Sequence, residues 1–196
     1  QDDRRHRGGP CRPDGQVGVA GADGVQLDDL TIRAAWPPAM SPIVLGHEGA
    51  GVVRAVGDDV HGIRPGDHVL LSYRSCGSCP ECRSAHPAYC QSFRALNAAG
   101  TRPDGTTTMS RDGSQVFGSF FGQSSLASHA LAYESNVVVV GDGVDLRVAA
   151  PLGCSVQTGA GAVLNVLRPT LDASLAVFGA GAVGLSTALI YPPGRF

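Results

Sequence analysis

The sequence predicts a mainly β chain with an α/β piece at its C-terminal end. Three observations carry that expectation. Glycine (27) and proline (13) fill about a fifth of the 196 positions, and both weaken helix interiors while serving tight turns. Short apolar runs between Pro42 and Val140 are separated by turn-rich segments, the pattern of a small β-barrel rather than a parallel sheet. After Ala149 the apolar period becomes helical, and a short apolar strand then runs straight into glycines.

The elements follow in order. Residues 1–24 are atypical: Gln1 to Arg12 carries four arginines, two aspartates and a Gly-Gly-Pro, with one weak strand at Gln16–Ala20. Val52–Val56 and His68–Leu71 read as strands separated by the turn residues Arg64-Pro65-Gly66-Asp67. A cysteine-rich lobe over 75–95 follows, then a polar stretch from Ala95 to Gln115, then strand-like runs at Val116–Phe121 and Asn136–Val140. Val156, Ala160, Val163, Leu164 and Leu167 recur at helical spacing, which predicts a connecting helix within 151–172. Ser174–Phe178 is a short apolar strand opening the segment 173–196.

Composition narrows the function classes. With 43% apolar residues the chain has enough to bury a core, which excludes full disorder. No apolar run approaches the ~18 residues of a membrane span, and no signal-peptide core follows the N-terminal arginines. No membrane partner and a cytoplasmic location are therefore expected. A net charge of −2 argues against nucleic acid held by bulk electrostatics. All fifteen basic residues are arginine, which excludes Schiff-base chemistry and a phosphate-loop lysine.

Six cysteines stand at 11, 76, 79, 82, 90 and 154, and four of them fall within fifteen residues. Cys76, Cys79, Cys82 and Cys90 are spaced 2, 2, 7, with glycine, serine and proline between the first three. Zn²⁺ takes four thiolates in a tetrahedron, and two-residue gaps let successive cysteines turn back onto one ion. A pair of disulfides is the alternative, but adjacent short gaps strain such pairings. Four thiolates leave no open coordination position, so a zinc ion here is structural.

Phe178 is followed by Gly179-Ala180-Gly181-Ala182-Val183-Gly184 between a strand and a helix-like run. In such a G-x-G-x-x-G the first glycine makes the tight turn and the second lets backbone approach a pyrophosphate. The third lets helix pack on strand, and the helix N-terminus attracts phosphate. Gly179, Gly181 and Gly184 thus predict the start of a dinucleotide-binding Rossmann unit. A plain glycine-rich turn is the alternative. The acidic residue that would separate NAD from NADP is expected about 20 positions on, past Phe196.

Gly46-His47-Glu48-x₂-Gly51-x₅-Gly57-x₂-Val60 resembles the signature of zinc-containing alcohol dehydrogenases of the medium-chain dehydrogenase/reductase superfamily. The cysteine lobe is similar to that family's in spacing, Pro151-Leu152-Gly153-Cys154 resembles its late ligand segment, and the glycine turn sits where its nucleotide domain begins. The likeness runs from about Val25 to Leu189. Phe120-Phe121-Gly122-Gln123-Ser124-Ser125 and Val156-Gln157-Thr158-Gly159-Ala160-Gly161 most resemble the aryl-alcohol (benzyl-alcohol) dehydrogenase branch.

The resemblance implies a GroES-like β-barrel over 25–150 with a structural zinc lobe, joined by a helix to the first β-α unit of a Rossmann fold. It also implies NAD-linked oxidation of a primary alcohol to an aldehyde, in a family of homo-oligomers. A catalytic Zn²⁺ would stabilise the alkoxide while hydride passes to NAD⁺. His47 and Cys154 match two of its three ligands, Glu48 is the neighbouring carboxylate, Asp29 matches a support of the histidine, and Thr158 resembles a threonine near the nicotinamide. Gln26 stands where the first cysteine ligand belongs, and Asp28 where a proton-relaying threonine belongs. A glutamine amide is a poor zinc ligand. Asp28 or Glu48 remains as a substitute; the expectation is a weakened or absent catalytic metal and impaired activity. Two other classes stay open: a non-catalytic zinc-stabilised module, and a zinc-free quinone reductase relative, against which the cysteine lobe argues. Residues 1–23 and 190–196 depart abruptly from the family pattern, which suggests reading-frame breaks at both ends and a marginally stable chain.

Overall fold

The computed structural model describes residues 16–21, 40, 42–170 and 172–191. Its centre is an antiparallel sheet of five strands. β1 (Gln16–Gly21) pairs with β2 (Ala50–Val56), and β2 pairs with β3 (His68–Leu71). β6 (His129–Tyr133) lies on the far side of β1, and β7 (Val137–Val140) on the far side of β3. Between them in sequence, β4 (Met109–Arg111) and β5 (Ser114–Val116) form a separate hairpin. Asp112 and Gly113 both take positive φ there, which suits a two-residue turn between twisted strands. β1 starts upstream of the expected domain boundary at 25 yet pairs on both edges within the sheet.

The strand order β6-β1-β2-β3-β7 has its two outer members adjacent in sequence. Laid flat, five strands would hold those edges ~19 Å apart. The connection from Tyr133 to Val137 spans at most ~14 Å. The sheet is therefore curled. β6 and β7 run in the same direction on either side of a 3-10 turn at Glu134–Asn136, the first paired to β1 and the second to β3. β6 and β7, the two ends of the strand order, do not pair with each other among the described residues. Asn136, fully buried at the bend, accepts from the Tyr133 N–H at 2.8 Å and donates to the Ser72 carbonyl at 3.1 Å. It supplies polar partners where the ladder is interrupted.

The apolar run of β3 is explained by burial on both faces. Val69 and Leu71 point into the cluster made with Val53, Ile63, Ala130 and Ala132. Leu70 points the other way, against Leu146 and Ala149. The latter two belong to α3 (Leu146–Ala149), whose first turn is capped by the Asp145 carboxylate accepting from Arg147 N–H. α1 (Pro80–Arg83) and α2 (Phe93–Ala98) frame the cysteine loop. α4 (Ser155–Gly161) continues as a π-helical turn, Ala162–Leu167, and packs through Gly159 on α5 (Ala182–Ile190).

Two expected strands differ. Val116–Phe121 is a strand only to Val116; Phe117 makes a single bridge to Ile43, and the chain then coils into a tight turn at Phe120–Gly122. Serine and phenylalanine in the left-handed region at 119 and 121 break the extended run. Ser174–Phe178 carries no sheet pairing among the described residues. A parallel strand is defined by a neighbour, and none of the described residues pairs with this segment.

Candidate functional site

The four lobe cysteines come together as the sequence requires. The Sγ atoms of Cys76, Cys79, Cys82 and Cys90 all lie within 4.8 Å of one another. Those of Cys76 and Cys82 are 3.9 Å apart, close to the ~3.8 Å edge of a tetrahedron with 2.3 Å zinc–sulfur bonds. All four are free thiols, so the disulfide alternative does not hold. Backbone N–H groups already point at sulfur: Cys76 N–H donates to Cys90 Sγ and Cys79 N–H to Cys76 Sγ, both at 3.3 Å. Hydrogen bonds from Ser78 and Cys79 hold the Cys76 thiol down at about 5. Bonds from Cys82 and Gln91 lower Cys79, whereas burial and the neighbouring Cys79 push Cys82 up to about 11. Burial, and then Cys82, likewise raise Tyr73. Hydrogen bonds thus favour the thiolates of Cys76 and Cys79, while burial resists ionising Cys82. A divalent cation at the centre would stabilise all four thiolates, and four sulfurs at this separation fit Zn²⁺.

A second cluster surrounds His47. Gly46, at φ 103°, is forced: a Cβ there would lie 2.3 Å from Leu126 N. This close approach lets Ser125 N–H donate to the Gly46 carbonyl and Leu126 N–H to that of Leu45, which fixes the turn that presents His47. The His47 ring faces Phe121 at 5.0 Å and Phe120 at 6.0 Å. Phe93 packs edge-on to Phe121, and Tyr73 lies against Phe93. The turn carrying these rings is strained, with positive φ at Ser119, Phe121 and Ser124 as well as at Gly122. Left-handed non-glycine residues cost about 1–3 kcal/mol each and concentrate at functional sites. Buried Ser124 holds the turn by donating to the Val44 carbonyl and accepting from Phe120 N–H.

Glu48 is engaged. Its Oε1 accepts from the Ser155 N–H at 2.9 Å and from the Ser155 hydroxyl, so it caps the start of α4, next to Cys154. Burial and the Glu48 charge raise the Cys154 thiol. Thr158 Oγ1 donates to the Cys154 carbonyl at 2.8 Å. Among the described residues the four lobe cysteines are the one group of three or more donors gathered tightly enough for an ion. His47, Glu48 and Cys154 do not make such a group, and Gln26, Asp28 and Asp29 lie outside the described residues. The described donors do not by themselves make up the ligand set of a catalytic ion. Sequence reasoning missed Ser155 and Gln123, which hold this cluster together; their signal is tertiary, because both act on residues at least 74 positions away.

The glycine turn divides its three positions by role. Gly179 sits at φ 107°. A Cβ on Gly184 would lie 2.0 Å from the Gly179 carbonyl oxygen, whereas one on Gly181 would meet nothing. Gly181 therefore leaves an open approach at the N-terminus of α5. An open glycine face at a helix N-terminus fits a pyrophosphate.

The chain belongs to the alcohol dehydrogenase GroES-like domain family, whose model matches residues 15–142. Among curated proteins it is 48% identical over 174 residues to geraniol dehydrogenase of Castellaniella defragrans, covering 88% of this chain and 46% of that protein. The crystal structure of an alcohol dehydrogenase zinc-binding domain protein from Burkholderia ambifaria superposes with a TM-score of 0.81 at 46% identity. That match covers 92% of this chain and 50% of the other. Benzyl alcohol dehydrogenase from Acinetobacter calcoaceticus superposes at 0.78 with 41% identity, over 93% of this chain and 49% of the other. The chain thus spans about half the length of these relatives. No described helix is long and apolar enough to cross a membrane.

Proposed function

We propose that this chain is the barrel, connecting helix and first nucleotide-binding unit of an NAD-linked, zinc-type alcohol dehydrogenase acting on apolar primary alcohols, aromatic ones foremost. The observation that carries the reading is the aromatic wall against His47: Phe120 and Phe121 in a strained turn, backed by Phe93 and Tyr73. Such a wall excludes water and stacks a planar or allylic substrate beside the imidazole. The names of the relatives, geraniol and benzyl alcohol dehydrogenase, agree with it.

Residues 25–150, together with β1, form the substrate-side barrel; 151–172 connect; 173–196 begin the cofactor domain. Gly179, Gly181 and Gly184 would hold the pyrophosphate of NAD, with Thr158 toward its nicotinamide; the cofactor when bound supplies a hydride acceptor. Cys76, Cys79, Cys82 and Cys90 hold a structural zinc that shapes the lobe and does no chemistry. Four free thiols in one loop suit a reducing compartment, which supports a cytoplasmic location. Aldehyde and alcohol are the small-molecule partners.

Gln26 at the first ligand position leaves the catalytic ion weakly held. The purified chain is expected to carry about one zinc and to form little NADH from benzyl alcohol. Gln26→Cys is expected to add a second zinc and raise NADH formation, and His47→Asn on that background to abolish both gains. Unchanged zinc and turnover in Gln26→Cys would overturn the reading. That result would support a non-catalytic zinc-stabilised module, the reading favoured by the engagement of Glu48 with Ser155.

A further inference from the structure

We propose that Gln123 is a positioning residue whose buried amide ties the turn bearing His47 to the turn bearing Cys154. This rests on the reading above that both residues serve one site. The Gln123 side chain is 1% exposed. Its Oε1 accepts from the Gly49 N–H at 3.0 Å, and its Nε2 donates to the carbonyls of His47 and Ser72, each at 3.1 Å. One planar group therefore grips the backbone on both sides of Glu48 and anchors it to the end of β3.

Ser72 carries the link onward. Its hydroxyl donates to the Gly153 carbonyl at 2.8 Å, one residue before Cys154. The Gln157 amide donates to the same carbonyl and to the Ser72 hydroxyl. The Ser72 carbonyl also accepts from Asn136 at the barrel bend. The two turns are over a hundred residues apart in sequence, and this polar chain joins them alongside the direct contact of Glu48 with Ser155. Close packing leaves no slack: a Cβ on Gly49 would sit 2.8 Å from Gln123 Oε1, and one on Gly153 2.1 Å from the Leu71 carbonyl oxygen.

Gln123 also belongs to the strained turn. Phe121 and Ser124, flanking Gly122 and Gln123, stand at φ 51° and 50°. That backbone sends the Phe121 ring to one side of His47 while the amide of Gln123 holds the His47 carbonyl on another. Strain of this kind persists where surrounding contacts over-determine it, and three hydrogen bonds from one buried amide do so.

The test uses the intact chain and two local readouts. Gln123→Met keeps the length and removes every side-chain hydrogen bond. Hydrogen exchange is followed at the Gly49 amide, bound by Gln123, and at the Val53 amide, bound to the Asp67 carbonyl in the barrel. The His47 ring proton resonances, displaced by the Phe121 ring current, are assigned by their loss in His47→Asn. The expected result is Gly49 exchange about tenfold faster with Val53 unchanged, and His47 resonances shifted toward exposed-histidine values. Exchange rising equally at both amides, or at neither, with His47 resonances unmoved, would overturn the proposal. Should Gln123→Met not fold, Gln123→Asn serves: the shorter amide cannot span all three partners, and the same selective change at Gly49 is required of it. Neither readout needs turnover, so the tether and the dehydrogenase reading fail separately.

Discussion

Gly179, Gly181 and Gly184 are one motif in the sequence and three different physical demands in the folded chain. Gly179 answers a left-handed φ, Gly184 a backbone contact, and Gly181 an open face. Gly184→Ala is therefore expected to destabilise. Overpacking against a backbone oxygen costs about 1–3 kcal/mol, and alanine's helix propensity offsets only ~1 kcal/mol of it. Gly181→Ala, with nothing near the added methyl, should leave denaturant unfolding within ~0.5 kcal/mol of the parent. Unfolding curves on the two variants check both statements, and equal effects would refute the division of roles. At this scale much was legible. The spacing of the four lobe cysteines named the residues that gather in the fold. The partners Ser155, Gln123 and Ser72 were not legible, because a serine or glutamine carries no signal until the fold brings it to a distant backbone group.

At the scale of elements, the cysteine lobe and the barrel strands are held by different forces. Neither α1 nor the turn at Pro87–Tyr89 contains a buried residue. The lobe between Cys76 and Cys90 thus has almost no apolar core of its own, and a metal must supply its stability. α2 differs: the buried Asn97 side chain accepts from Arg74 N–H at 2.8 Å and donates to the carbonyls of Arg74 and Phe93. Removing zinc with a chelator is expected to release amide protection at Arg83, Ser84 and Ala85, whose N–H groups bond within the lobe. The Val53 amide in the barrel should stay protected. Exchange mass spectrometry reads both, and a lobe still protected without metal would show that packing alone suffices. The strand at β3 was legible from its apolar run, and its two-sided burial explains why the run does not alternate. The segment Val116–Phe121 reads as a strand in sequence because aromatic and β-branched residues favour sheets; two left-handed non-glycine residues within it, Ser119 and Phe121, decide otherwise.

At the scale of the whole molecule, the apolar surface is unevenly covered. The barrel buries its clusters well, but Phe178 is 98% exposed, Leu189 81% and Val166 72%. Exposed large apolar side chains favour association. Light scattering of the purified chain is expected to rise with concentration, and Phe178→Ser to reduce it while leaving the melting temperature unchanged. A drop in melting temperature would show instead that Phe178 is packed. The composition and motifs by themselves determined the fold class, the four-thiolate lobe, the His47 and Cys154 turns and the glycine turn, since each is a local pattern of residue types at fixed spacing. Tertiary structure alone decided three further matters: that β6 and β7, adjacent in sequence, form the two opposite edges of the sheet, that Glu48 caps α4 at Ser155, and that Gln123 contacts both the His47 turn and the end of β3. The physical reason is the range of the interactions. Spacing encodes contacts within a turn or two of chain, whereas strand pairing, capping and tethering depend on backbone groups that only the folded sheet brings within hydrogen-bonding distance.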